Sequence, residues 1–153
     1  MHDMHMSRRS QVFSAALLVV LVLDQVLRVV ALRRVVGWRV GLIEFGYYPN
    51  AGAIFSWPVP VAVMTVITGA ILVGLAILLV RMQWRRGEWF ALGLLSMLAA
   101  GAANFVDRVR FGSVVDYVSV GPWFPVFNLA DVVIVIGLIM IVWPRRSSLT
   151  GTS

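Results

Sequence analysis

Long apolar runs separated by short polar stretches dominate the chain. Gln11 to Leu32 carries only two charges, Asp24 and Arg28. Pro58 to Val80 is 23 residues without a charge. Trp89 to Val106 adds 18 more before Asp107 and Arg108, and from Pro125 to Trp143 the single charge is Asp131. A helix crosses a bilayer with about 20 mostly apolar residues at ~1.5 Å each. The pattern therefore predicts four transmembrane helices, over about 11–32, 58–80, 89–107 and 125–143, within one domain covering residues 1–153.

The connections differ from one another. Residues 33–57 hold Gly37, Gly41, Gly46 and Gly52 with β-branched and aromatic residues between them, which predicts short strands and turns at the membrane surface. Residues 109–125 contain Gly112, Gly121, Pro122 and Pro125, and the run "SVVDYVSV" suits a strand or a short surface helix. The inner connection, Arg81 to Glu88, is short and holds three arginines, which favours the cytoplasmic side. An even number of spans then puts both termini in the cytoplasm and the two longer segments outside. Arg8 and Arg9 ahead of the first span resemble the start of a signal peptide, but no small-x-small cleavage site follows, so that span is expected to be retained.

Composition sharpens this picture. Hydrophobic residues make up 60% of the chain and charged residues 13%, against about half and a quarter in ordinary soluble domains. The net charge of +6 comes from arginines that flank apolar segments, so an anionic lipid surface suits it and nucleic acid does not. There is no cysteine, and the two histidines, His2 and His5, lie in the N-terminal tail. All 13 basic residues are arginine. Thiol and lysine nucleophiles, a buried Ser-His-Asp triad and the common zinc motifs are thereby excluded, and neither metal nor cofactor is expected. Carboxylate chemistry is what remains.

Polar residues within a membrane span are costly and by default functional. Asn104 and Arg108 share a helix face at i, i+4, with Asp107 beside them, and Asn128 and Asp131 share one at i, i+3. With the termini inside, Asp107, Asp116, Asp131, Asn104 and Asn128 all converge near the outer leaflet. Asp131 is then expected about six residues, ~9 Å, below the outer boundary of a helix beginning near Pro125. Two carboxylates in one low-dielectric site share a proton, so that one acts as general base on water and the other polarises a carbonyl.

The same residues carry a family resemblance. The runs "DQVLR" (24–28), "NAGAIFS" (50–56), "GAANFVDR" (101–108), "VVDY" (114–117) and "FNLAD" (127–131) stand in this order along nearly the whole chain. Together they resemble the bacterial lipoprotein signal peptidase, signal peptidase II. The resemblance implies an all-α membrane protein with four transmembrane helices and a small extracytoplasmic β-cradle. It implies an aspartic endopeptidase of the cytoplasmic (inner) membrane, which removes signal peptides from prolipoproteins by cutting before a diacylglyceryl-modified cysteine. Asp116 and Asp131 match the catalytic pair. Asn50, Gly52, Asn104, Arg108 and Asn128 match substrate-holding positions, and Asp24, Gln25, Phe55 and Asp107 supporting ones. The expected partners are the lipidated substrate and membrane lipid, and the protein is expected to be a monomer. Two departures stand out: Ala103 occupies a position usually held by glycine, and Arg28 one where lysine is common.

Plainer readings compete with these. Asp24 and Arg28 make an ordinary i, i+4 ion pair. Asn50 and Gly52 are good turn formers, and Asn104 and Asn128 good interhelical glue. Ser96, Ala100 and Ala103 form a small-residue packing face. A small four-span proton-coupled transporter would also carry an embedded carboxylate, and a non-catalytic relative would bind lipidated peptides without cutting. The 25-residue segment ahead of the second span argues against the transporter, and the presence of both aspartates against the binding-only relative.

Overall fold

The computed structural model describes residues 7–33, 37–52 and 59–143, apart from the side chains of 82–86. The elements are α1 (Arg8–Leu32), β1 (Trp38–Val40), β2 (Ile43–Asn50), α2 (Val61–Arg86), α3 (Glu88–Phe111), β3 (Val114–Val120) and α4 (Leu129–Val142). Three of the helices, α1, α2 up to Arg81 and α3, are long and apolar enough to cross a membrane, whereas α4 is a shorter apolar helix of 14 residues.

Each long helix follows from an apolar run, and α1 also has a polar side-chain cap at its start. Ser7 caps α1 by accepting from the Ser10 amide at 3.2 Å, as short hydroxyl side chains do at helix starts. The Glu88 carboxylate, in the first turn of α3, accepts from the hydroxyls of Ser7 at 2.7 Å and Ser10 at 2.9 Å. That clasp ties the beginning of α1 to the α2–α3 turn. Only Gly87 separates α2 from α3, so the stretch 81–86, expected as loop, is helical backbone.

α3 is the hub, packing against α4, α2 and α1. Its contact with α4 is backbone-close. A Cβ on Gly93 would lie 2.7 Å from the Gly137 carbonyl oxygen, and one on Gly137 2.7 Å from that of Gly93. Ser96 and Ala100 continue the same face and are buried, with Ala103 half-buried against Ala100, Ala130 and Val133. Large apolar side chains cover the outward faces of the helices, Leu18, Val19 and Val22 on α1 and Val66 and Val73 on α2 among them, as expected of surfaces that face lipid.

The three strands form an antiparallel sheet in the order β1-β2-β3. Its inner face packs on the end of α1 through Phe45, Val115, Tyr117 and Ala31, with Phe45 tilted against Tyr117 at 5.5 Å and Trp38 stacked on Phe45 at 6.1 Å between ring centroids. The register slips by one residue between Phe45 and Tyr48, a bulge on β2. Beyond it Tyr48 opposes Asp116 and Asn50 opposes Val114, which makes Asn50 and Asp116 diagonal neighbours on one face.

Two expectations need correcting. The third helix continues to Phe111 instead of ending near residue 107; within the segment that follows, Val114–Val120 forms β3, the strand alternative expected there. The fourth helix begins at Leu129, not near Pro125, because Asn128 and Asp131 form a reciprocal capping box, which fixes the start of a helix. Residues just before it pair with β3 instead, through the Phe127–Val118 bridge. Asp131 therefore stands in the first turn of α4, not ~9 Å down a helix.

Gly93→Ala and Gly137→Ala should each cost about 1–3 kcal/mol through overpacking. Thermal unfolding in detergent measures this directly. Gly74→Ala, whose added methyl meets nothing within 4 Å, is the control and should not lower the midpoint.

Candidate active site

The chemistry gathers where α1, α3, β3 and the start of α4 meet. Asn128, the N-cap of α4, is its junction. Its side-chain amide nitrogen donates to Asp116 Oδ1 at 2.7 Å and to Asn104 Oδ1 at 3.2 Å. Its amide oxygen accepts from the Asp131 backbone at 2.9 Å, and its own backbone N–H donates to Asp131 Oδ2 at 3.1 Å. Asn50 Nδ2 donates to Asp116 Oδ2 at 2.8 Å, and Asn104 Nδ2 to Asp131 Oδ1 at 2.8 Å. Each of the four carboxylate oxygens thus has an N–H donor, and one asparagine touches both acids.

A second layer fixes the donors. The Gly52 N–H donates to Asn50 Oδ1 at 2.9 Å, an Asx turn that leaves the Asn50 amide nitrogen facing Asp116. Gly52 sits at φ +92°, and a Cβ there would lie 3.0 Å from Met64, so both conformation and space call for glycine. The Arg28 guanidinium, 2% exposed, spends three nitrogens on three partners. Nε donates to Asp24 Oδ2 at 2.7 Å, Nη2 to Asn104 Oδ1 at 2.6 Å, and Nη1 to Asp107 Oδ2. Asp107 also accepts from the Val115 amide at 3.0 Å, which anchors β3 next to Asp116. The i, i+4 pair of α1 is real, and its arginine also orients Asn104.

Tyr117 is the residue that sequence reasoning missed. Fully buried beside Asp116, it donates from its hydroxyl to Asp24 Oδ1 at 2.9 Å and accepts from the Leu129 amide at 3.0 Å. Asp24 Oδ1 also takes the Ala130 amide at 3.2 Å. The first four N–H groups of α4, normally orphaned, are all satisfied: Asn128 by Asp131, Leu129 by Tyr117, Ala130 by Asp24 and Asp131 by Asn128. The signal was available, since a tyrosine in an apolar strand next to an acid needs a partner for its hydroxyl when buried.

Arg108 differs from Arg28. It lies within electrostatic range of Asp131, Asp116 and Asp107, yet its Nε is buried without a hydrogen-bond partner. Gln25 is exposed, with Nε2 3.4 Å from Asp24 Oδ2. Phe55 lies outside the described residues. Among the described residues no group of His, Cys, Asp and Glu has the arrangement of a metal site.

Burial pushes the Asp116 carboxyl up to about 7, against the donors from Asn50 and Asn128, and the charge of Asp131 adds to the rise. Burial also raises Tyr117 well above the usual phenol range, so its hydroxyl remains a donor. Tyr117→Phe removes one oxygen while keeping the ring. It strands the Leu129 amide and one Asp24 lone pair, and should destabilise the protein by about 1–3 kcal/mol, measured by thermal unfolding in detergent.

The sequence profile described as "Signal peptidase (SPase) II" matches residues 16–145. A lipoprotein signal peptidase of Rhodococcus jostii (strain RHA1) is 41% identical over 113 residues, 69% of this chain and 55% of the relative, so the chain spans little more than half of that relative's length. One from Streptococcus thermophilus (strain CNRZ 1066) is 31% identical over 148 residues, covering 91% of this chain and 97% of its own. A bacterial membrane enzyme solved by the in meso method at 2.3 Å superposes with a TM-score of 0.72 at 25% identity, over 93% of this chain and 90% of that one. A second such structure, at 1.9 Å, gives 0.71 at 25% identity over 93% and 95%. The chain is thus a multi-pass membrane protein and a peptidase by descent, and it belongs to the signal peptidase II family.

Proposed function

We propose that this protein is an intramembrane aspartic endopeptidase that removes signal peptides from prolipoproteins, cutting before a diacylglyceryl-modified cysteine. One observation carries the reading: Asn128 holds both Asp116 and Asp131. A pair joined in this way titrates as a unit. One carboxylate takes a proton from water, whose oxygen attacks the scissile carbonyl, while the protonated partner donates to the developing oxyanion. Collapse returns a proton to the leaving amine. Arg108, with its unpartnered Nε, orients a substrate carbonyl, and Asn50, Asn104 and Asn128 hold the substrate backbone alongside the acids.

The reading includes a topology. Four crossings are made by α1, α2, α3 and α4, the last lengthened by the extended residues before Leu129. Both termini face the cytoplasm across the bacterial inner membrane, and the sheet lies at the outer leaflet with the active site beneath it. The whole chain acts as one domain and as a monomer.

The test is cleavage of a diacylglyceryl-modified prolipoprotein by purified protein in detergent, beside the unlipidated precursor. Only the lipidated form should be cut, and Asp116→Asn and Asp131→Asn should each lose at least about 10³-fold in kcat while remaining folded. Cleavage of both precursors alike, or activity in either variant, would refute the assignment.

The pH dependence has a definite sign. Catalysis needs one shared proton, so the rate should fall as pH rises through about 7, where Asp116 loses its own. An unfolded chain's aspartate titrates near 3.9. The stability contributed by protonating Asp116 is therefore complete below that value and lost as pH rises toward 7. Between about pH 4 and about pH 8 the unfolding midpoint of Asp116→Asn should rise relative to the parent's. A constant difference would contradict the raised carboxyl.

A further inference from the structure

The ends of α1, α3 and α4 that lie away from the sheet enclose two adjoining cavities. The first, about 460 Å³, is lined by Ser7, Arg8, Arg9, Ser10, Glu88 and Trp89. The second, about 330 Å³, is walled by Trp89, Ile139, Met140 and Trp143. Both volumes fall within the ~300–1,000 Å³ range of ligand pockets. Trp89 borders both, so the polar cavity passes into the apolar one across a single indole. That ring is held edge-on against Phe13 of α1, with centroids 6.4 Å apart.

The charges in the first cavity are unevenly spent. The Glu88 carboxylate already accepts from the Ser7 N–H at 3.2 Å and from the hydroxyls of Ser7 and Ser10. Arg8 and Arg9 are exposed, and the ion pairs among the described residues are both made by Arg28. Two guanidiniums therefore line the cavity without a carboxylate partner, beside one carboxylate occupied by the clasp. They also stand in the first turn of α1, where the dipole of a helix disfavours cations. Their charge works against α1 itself.

We infer that the two cavities form one site for an anionic phospholipid of the surrounding membrane, its phosphate between Arg8 and Arg9 and one acyl chain along Ile139, Met140 and Trp143. A free anion would use the first cavity alone and leave the apolar wall uncovered, with Trp89 at 55%, Trp143 at 71% and Ile139 at 48% exposure. An uncharged hydrocarbon would use the second and leave the arginines. A phospholipid carries both parts, joined in the order in which the cavities are joined. The excess of positive charge in the lining favours an anionic headgroup over a zwitterionic one, and arginine with tryptophan at helix ends suits the membrane interface. The Ser7–Glu88 clasp joins α1 to α3 and does not reach α4; a lipid seated here touches all three helices. The site is separate from the carboxylate cluster, and the inference is independent of the peptidase reading.

Thermal unfolding in an uncharged detergent, titrated with phosphatidylglycerol or with phosphatidylcholine of the same chain length, tests this. Phosphatidylglycerol should raise the parent's midpoint in a saturable manner, because a ligand of the folded state stabilises it, and phosphatidylcholine should raise it less. The double variant Arg8→Gln, Arg9→Gln should match the parent without lipid and need about 30-fold more phosphatidylglycerol for half the effect. Trp143→Ala tests the apolar half on its own and should weaken the response as well. Arg39→Gln, which removes a cation from β1 at the other end of the molecule, should leave the response unchanged. Equal responses to the two lipids, an undiminished response in the double variant or in Trp143→Ala, or an equal loss in Arg39→Gln would overturn the inference. So would a shift of the same size from inorganic phosphate, which would mark an anion site without a lipid.

Discussion

A buried guanidinium holds this structure together. Arg28 reaches from α1 to Asp107 and Asn104 on α3 while paired with Asp24 on its own helix. Removing such a charge from water costs several kcal/mol, recovered only through well-placed, charged partners. Here three nitrogens find three. The arrangement explains the departure noted at this position: a lysine offers a point charge on a flexible stem, whereas arginine offers a rigid fork that can bind partners in three directions. Two consequences follow from its geometry. Asn104 has its oxygen turned toward Arg28, which sends its nitrogen to Asp131. Asp107 is held where it can take the Val115 amide, which seats β3 and, next in sequence, Asp116.

The start of α4 depends on the same network from another direction. A helix that begins among apolar surroundings cannot leave its first N–H groups to water. Asp24 and Tyr117 take two of them, and the Asn128–Asp131 box takes the other two. The cap that makes the helix also fixes Asp131, because Asp131 is a member of it. The helix start and the place of the Asp131 carboxylate are therefore set by one set of hydrogen bonds, and loosening the cap would move that carboxylate.

Much of this was legible in the chain. The apolar runs gave α1, α2 and α3, since an uncharged stretch that long has few alternatives. The glycine-punctuated, β-branched segment gave β1 and β2. The i, i+4 and i, i+3 spacings put Asn104 with Arg108 and Asn128 with Asp131. What eluded the pattern was anything decided across elements. The beginning of α4 was misplaced because hydrophobicity runs on through Pro125–Phe127, and only the pairing of Phe127 with Val118 shows that this stretch belongs to the sheet. The Gly93–Gly137 contact was invisible because each glycine is unremarkable on its own helix. Tyr117 was passed over for a similar reason: its partners, Asp24 and Leu129, are far away in sequence.

Charge balance separates buried Arg28 from half-buried Arg108. Each nitrogen of Arg28 has a partner in Asp24, Asp107 or Asn104, and the group serves the architecture. Arg108 keeps a buried nitrogen free while three carboxylates act on it. An unsatisfied buried donor costs about 1–3 kcal/mol, and such costs persist where an arrangement serves something beyond folding. The excess of acid over base in this small volume works the same way, for burial together with the neighbouring Asp131 charge lifts Asp116 to about 7. A core built for stability alone would have neutralised both features. Their presence together, in one small volume where α3, β3 and the start of α4 meet, marks an arrangement held for chemistry and not for packing alone.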